Sequence, residues 1–203
     1  MSTAAGKPSF TFNMFGTTTQ QRRFLEAFEG FEAEWESQGF RALDSKEASQ
    51  RLSGLPPYPL EWKKEGPTAS AFYTHFLQLI EFLKEPATTA TIEVALGGFL
   101  HAALHRFSKF FGRPEQGPTM QFPITFCPSM CFEQSKVLVT VVAEIQSPEE
   151  FKLAELLIPE GFRRAAQWVE RHGITHPYIT YFIQDGRLDN RPTLSEHPPI
   201  KPE

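Results

Sequence analysis

Hydrophobic positions along the chain change period twice, and the changes mark out its elements. Ser9 to Phe15 alternates apolar and polar residues, the two-residue period of a strand. Gly16 and Thr17-Thr18-Thr19 supply a turn and a cap. Phe24, Phe28, Phe31 and Trp35 then recur at helical spacing, with Glu26, Glu29, Glu32, Glu34 and Glu36 between them, which predicts a helix with one face of rings and one acidic face. Gly39 ends it, and Asp44-Ser45-Lys46-Glu47 caps a shorter helix running to about Leu52.

Two long helices are expected in the middle of the chain. Thr68 to Lys84 places Phe72, Phe76, Leu79 and Leu83 at helical intervals, with Tyr73, Leu77 and Ile80 widening the stripe. Ile92 to Phe111 carries a broad apolar arc through Leu96, Phe99, Ala103, Leu104 and Phe107, and a second strip of small residues at Ala95, Gly98 and Ala102. A glycine inside a helix costs about 1 kcal/mol relative to alanine. A neighbour packing closely over the small strip offsets that cost.

The last third alternates or is apolar throughout. Gln121 to Phe126 reads as a strand, and Lys136 to Ile145 as a central strand covered on both faces. Ser147-Pro148-Glu149-Glu150 opens a helix, and Pro159-Glu160 is expected to open another that ends at His172-Gly173. Pro177 to Ile183 is a further covered strand, followed by a turn at Gln184-Asp185-Gly186-Arg187. The expected fold class is α+β. It has a small mixed or antiparallel sheet of about four strands, packed against several helices that include the two long central ones. Residues 1–190 form the expected single domain, and 191–203 an extended Pro-rich tail.

Composition sharpens this picture in one respect. Twenty of 203 residues are Phe, each burying on the order of 150–250 Å² when enclosed, so the chain needs a large core or a large partner. Seventeen prolines gather in connectors such as Leu55-Pro56-Pro57-Tyr58-Pro59. A net charge of −4 and no basic run longer than a pair argue against nucleic acid as a partner. Glu93 and His101 interrupt the most apolar stretch, so no transmembrane span is expected. Two cysteines favour an intracellular, reducing compartment. The absence of Asp and Glu from the first 25 residues gives the start of the chain an organelle-import flavour, although a strand explains Ser9 to Phe15 better.

Candidate chemistry is sparse. His101 and His105 lie four apart on an expected helix, so both imidazoles project from one side. Cys127 and Cys131, read as flanking a short turn, would complete a two-nitrogen, two-sulfur set suited to zinc. The competing explanation is two polar residues facing solvent and two ordinary thiols. His172 is explained by the helix dipole at a C-terminus, and His75 as an interior histidine. No phosphate loop, dinucleotide fingerprint, nucleophile elbow or redox Cys-x-x-Cys is present.

The residues therefore point to a non-enzymatic interaction protein or accessory subunit, bound to a protein partner or a second copy of itself. The expected contact surface is Phe24, Phe28, Phe31 and Trp35 together with Ala95, Gly98 and Ala102. A metal-binding protein or metal-dependent enzyme at the His/Cys site is one alternative. Another is a binder of an apolar small molecule in a Phe-lined cavity.

Overall fold

In a computed structural model, residues 9–16, 40–42, 74–82, 101–102, 105, 124–132 and 136–197 are described. Side chains are described from 124 to 130 and from 136 onward, and at His101, Ala102 and His105. These residues form a mixed sheet of nine strand segments with one long helix against it. The segments are β1 (Ser9–Gly16), β2 (Phe40–Ala42), β3 (Thr74–Phe82), β4 (Ile124–Phe126), β5 (Ser129–Phe132), β6 (Val137–Ile145), β7 (Tyr178–Gln184), β8 (Arg187–Leu188) and β9 (Thr193–Ser195). The helix, α1, spans Pro148–His172. Across the sheet the order is β2-β3-β1-β4-β6-β7-β8. β5 lies between β1 and β6, and β9 pairs with β7.

The α+β class expected from the sequence stands, while the sheet is larger than the four strands expected. Where one of the two long helices was expected, the described residues form a strand. Within Thr68 to Lys84, residues 74–82 form β3, paired antiparallel with β1 from Ser9↔Glu81 to Gly16↔Thr74. A nearly continuous apolar stretch fits both periods, and pairing with a distant strand decides between them. Of the second long helix, His101, Ala102 and His105 are helical, and its other residues lie outside the described ones, as do the ring-bearing helix at Phe24 to Trp35 and the short helix after Ser45.

β4 and β5 are one strand in two pieces. Opposite β6 the register runs Ile124↔Ile145, Phe126↔Ala143, Ser129↔Thr140 and Phe132↔Val137, with no residue gained or lost across the interruption. Opposite β1 it is equally continuous, from Met14↔Phe126 to Thr11↔Ser129. The ladder breaks at Cys127-Pro128 because proline has no N–H to give. The Pro128 carbonyl still accepts from the Val141 N–H at 3.1 Å. Proline is normally confined to sheet edges, so its place inside this strand is an exception. The expected turn between Cys127 and Cys131 is not there: at about 3.3 Å per residue, an extended strand sets their Cα atoms about 13 Å apart.

β6, α1 and β7 make a parallel strand-helix-strand unit, from Leu138↔Tyr178 to Ala143↔Ile183. Burial along β6 is complete apart from half-buried Glu144, so both its faces are covered. α1 covers the face carrying Val141, Tyr181 and Ile183. It does so through Phe151, Ala154, Ile158, Gly161, Phe162 and Ala165, which recur at helical spacing. Gly161 permits the approach, since a Cβ there would stand 2.8 Å from Val141 Cγ2. Phe151 meets Phe126 edge to face, with centroids 5.7 Å apart.

The two helices expected around Pro159 are a single helix, with Pro159 inside it. An interior proline removes the bond to the carbonyl four residues back, here that of Glu155, at about 3 kcal/mol. Burial of the apolar face on both sides of Pro159 holds the helix together across that gap. Its ends follow the sequence signals. The Ser147 hydroxyl accepts from the Glu150 N–H at 3.2 Å, the Glu150 carboxylate accepts from the Gln146 N–H at 2.7 Å, and the Gly173 N–H closes the last turn on the Val169 carbonyl.

The turn expected after β7 is a two-residue hairpin in which Asp185 and Gly186 have φ of 50° and 68°. That is the Asp-Gly geometry matched to strand twist. Thr193–Ser195, inside the stretch expected as an extended tail, is extended and docked on β7.

Candidate functional site

Three groups of side chains concentrate the polar chemistry of the described residues, and they differ in exposure. The first lies on the sheet face opposite α1. Cys127, Val142 and Phe182 pack together there, and next to them the Ser129 and Thr140 hydroxyls lie 2.9 Å apart across β5 and β6. Ser129 Oγ also donates to the Cys127 carbonyl at 3.4 Å. Register extends this into a row of hydroxyl residues across five strands: Thr11, Ser129, Thr140, Thr180 and Thr193. Ser129, Thr140 and Thr180 are buried. Alternating apolar and hydroxyl positions in separate strands conceal such a row, because only register aligns them.

Cys127 is 2% exposed. Burial, and secondarily the Glu144 carboxylate, push its thiol far above the ordinary range, so it stays protonated and poorly nucleophilic. Buried hydroxyls that satisfy one another, beside an inert thiol, specify register and hold the sheet together.

The second group sits where α1 meets the β7–β8 hairpin. Glu160 accepts two bonds from Arg163, both at 2.6 Å, and one from Arg164 at 2.9 Å. Arg164 also donates to the Asp189 carbonyl at 2.9 Å, tying the helix to the residue that follows β8. The Arg163 bonds foremost, with Arg164 second, hold the Glu160 carboxyl down to about 2. Beside this network Gln184, Asp185, Arg187, Leu188 and Asp189 line an open, mainly polar depression of about 490 Å³. Farther along α1, His172 stacks on Trp168 with centroids 4.0 Å apart and donates from Nδ1 to the Trp168 carbonyl at 3.0 Å. His176 bonds Thr175 instead, so these two histidines are engaged separately.

The third group is the pair His101 and His105. Both are exposed on a helical segment, with rings nearly parallel at 14° and centroids 5.8 Å apart. The four residues considered for zinc are thus placed in different settings. Two imidazoles stand side by side at the surface, Cys127 is in the core, and Cys131 is on β5 well removed from Cys127 along the strand. Among the described residues no group of three or more His, Cys, Asp or Glu side chains is arranged to hold a metal ion. Of the expected contact surface, Ala102 is helical and half-buried, while Phe24, Phe28, Phe31, Trp35, Ala95 and Gly98 lie outside the described residues.

The outer side of α1 carries an apolar strip that helical periodicity alone does not single out. Leu153 and Leu156, one turn apart, are 44% and 66% exposed, and half-buried Leu157 adjoins them. A Cβ at Gly186 would stand 2.9 Å from Leu153 Cδ1, so the hairpin abuts this strip. The available signal was four apolar residues in Leu153-Ala154 and Leu156-Leu157, more than one buried face requires. Among the described residues no helix is long and apolar enough to cross a membrane. No family model matches the chain, and no curated protein or solved structure matches it at a significant level.

Proposed function

We propose that the protein is a non-catalytic interaction or accessory subunit that binds a protein partner or a second copy of itself. The observation supporting this reading is the pair of exposed leucines on α1. Single exposed leucines are ordinary on soluble proteins. Two in consecutive turns, adjoining Leu157 and set against a two-residue hairpin, form a compact apolar strip with polar groups around it, the layout of a contact surface. Glu149, Lys152 and the Glu160–Arg163 pair supply a charged surround.

The test places a photo-crosslinking residue at position 156 of the full chain and a control at exposed Arg171, both expressed in cells. A discrete crosslinked species from position 156 but not from position 171 is the expected result. Equal, diffuse labelling at both positions, or none at 156, contradicts the reading.

A further inference from the structure

We infer that β8 and β9 are a single edge strand, and that the residues between them, 189–192, are an anchored bulge that stops a strand of another chain from adding to this end of the sheet. This device goes beyond the interaction reading and does not depend on it. Both segments run antiparallel along the same side of β7, with Ile183↔Leu188 before the interruption and Thr180↔Thr193 after it. Two residues of β7, Tyr181 and Phe182, therefore face four on the edge, 189–192, an excess of two. Two residues are one strand period, so partners on both sides of the bulge keep to the same faces.

The bulge is held from two directions. The Asp189 N–H donates to the Phe182 carbonyl at 3.0 Å, and the Asp189 carbonyl accepts from Arg164 of α1 at 2.9 Å. Glu160 in turn fixes Arg164, accepting from its Nε at 2.9 Å. Asn190 and Arg191, which follow, are exposed, and Pro192 has no N–H to offer an incoming strand. The need for a guard lies in β7, which is aromatic or β-branched at every position from Tyr178 to Ile183, a composition prone to pairing between chains. β8 and β9 cover it, and among the described residues they are the outermost on that side. A straight strand there would present an unbroken row of backbone groups to another chain. Pieces of two and three residues, separated by a bulge and carrying exposed Arg187 and Arg191, do not.

The experiment straightens the edge in the full chain by deleting Asn190 and Arg191 and replacing Pro192→Thr, with circular dichroism checking the fold. Thioflavin T fluorescence, which reports strand stacking and not helix packing, is followed during incubation of this variant and the wild type at equal concentration. Expected is a folded variant whose signal grows to at least tenfold that of the wild type, and falls back to the wild-type level when Thr193→Lys places a charge on the same edge. A second variant, Arg164→Met, keeps the chain length and removes the anchor from α1, and amide exchange over 189–195 should be at least tenfold faster in it. A folded deletion variant with the wild-type signal overturns the proposal, as does a raised signal that Thr193→Lys leaves unchanged. Unchanged exchange in Arg164→Met, or a deletion variant that does not fold, also overturns it, because the bulge would then be either unanchored or indispensable to the sheet.

Discussion

Ser129 Oγ and Thr140 Oγ1 lie 2.9 Å apart inside the sheet, on two strands whose register is shared on both sides of Pro128. Their bond joins the strand interrupted by proline to the central strand β6. A buried pair of this kind contributes about 0.5–1.5 kcal/mol, and removing one partner costs about 1–3 kcal/mol. Thr140→Val should therefore destabilise by about 1–3 kcal/mol. A double-mutant cycle with Ser129→Ala, read by urea denaturation, should return a coupling of about 1 kcal/mol. A coupling indistinguishable from zero would mean that the two hydroxyls act independently.

Close packing of α1 on β6 makes a second prediction. Alanine is the better helix former by about 1 kcal/mol, yet a methyl at Gly161 would stand 2.8 Å from Val141 Cγ2 and 3.1 Å from Val141 Cγ1. Overpacking costs about 1–3 kcal/mol. Gly161→Ala is expected to lower stability, and Val141→Ala in the same chain to restore part of the helix-propensity gain. A single Gly161→Ala variant more stable than wild type would show that α1 stands farther from β6.

Pro159 interrupts a helix that continues on both sides of it. Replacing it by alanine restores the bond to the Glu155 carbonyl and should raise stability, by at most about 3 kcal/mol. Thermal unfolding with a higher midpoint in Pro159→Ala is the expected outcome. A lower midpoint would mean that the proline ring contributes packing worth more than the bond it removes.

Glu160 gives acid sensitivity with a defined sign. Its folded pKa is depressed from the ordinary 4.5 to about 2, mainly by bonds from Arg163 and then from Arg164. The stabilisation is present above pH 4.5 and is lost as pH falls through that window toward 2. The network is partly exposed, so the loss is modest and salt-sensitive. Denaturation curves of wild type and Glu160→Gln should converge as pH is lowered from 5 to 2. Parallel curves would contradict the assignment.

How far the fold was legible depended on whether local chemistry or a distant partner made the decision. Ser147, Pro148 and Glu150 announced the start of α1, Gly173 its end, and Asp185-Gly186 the hairpin, because each acts within a few residues. Val137 to Ile145 announced a central strand by being apolar at nearly every position. Thr74 to Phe82 has the pattern of a helix because Phe76, Leu79 and Ile80 satisfy the helical period, and the pairing that makes it a strand is with residues far away in sequence. Pro159 and Pro128 misled in the same direction. Each carries a local cost that implies a break, and in each case packing or pairing on both sides outweighs it. At the candidate sites, the four-residue spacing of His101 and His105 was visible. The hydroxyl row needed strand register, and the exposure of Leu153 and Leu156 needed the orientation of α1.

The central claim, that the protein works by binding another chain through the outer side of α1, is tested most directly by its native mass in fresh cell extract. Size exclusion with light scattering is run on the wild type and on the Leu153→Asp/Leu156→Asp double variant, with unfolding midpoints confirming that both are folded. The wild type is predicted to run well above the 23.1 kDa of one chain and the double variant as a single chain. A wild type that runs as a single chain, or a double variant that keeps the larger mass, would contradict the claim.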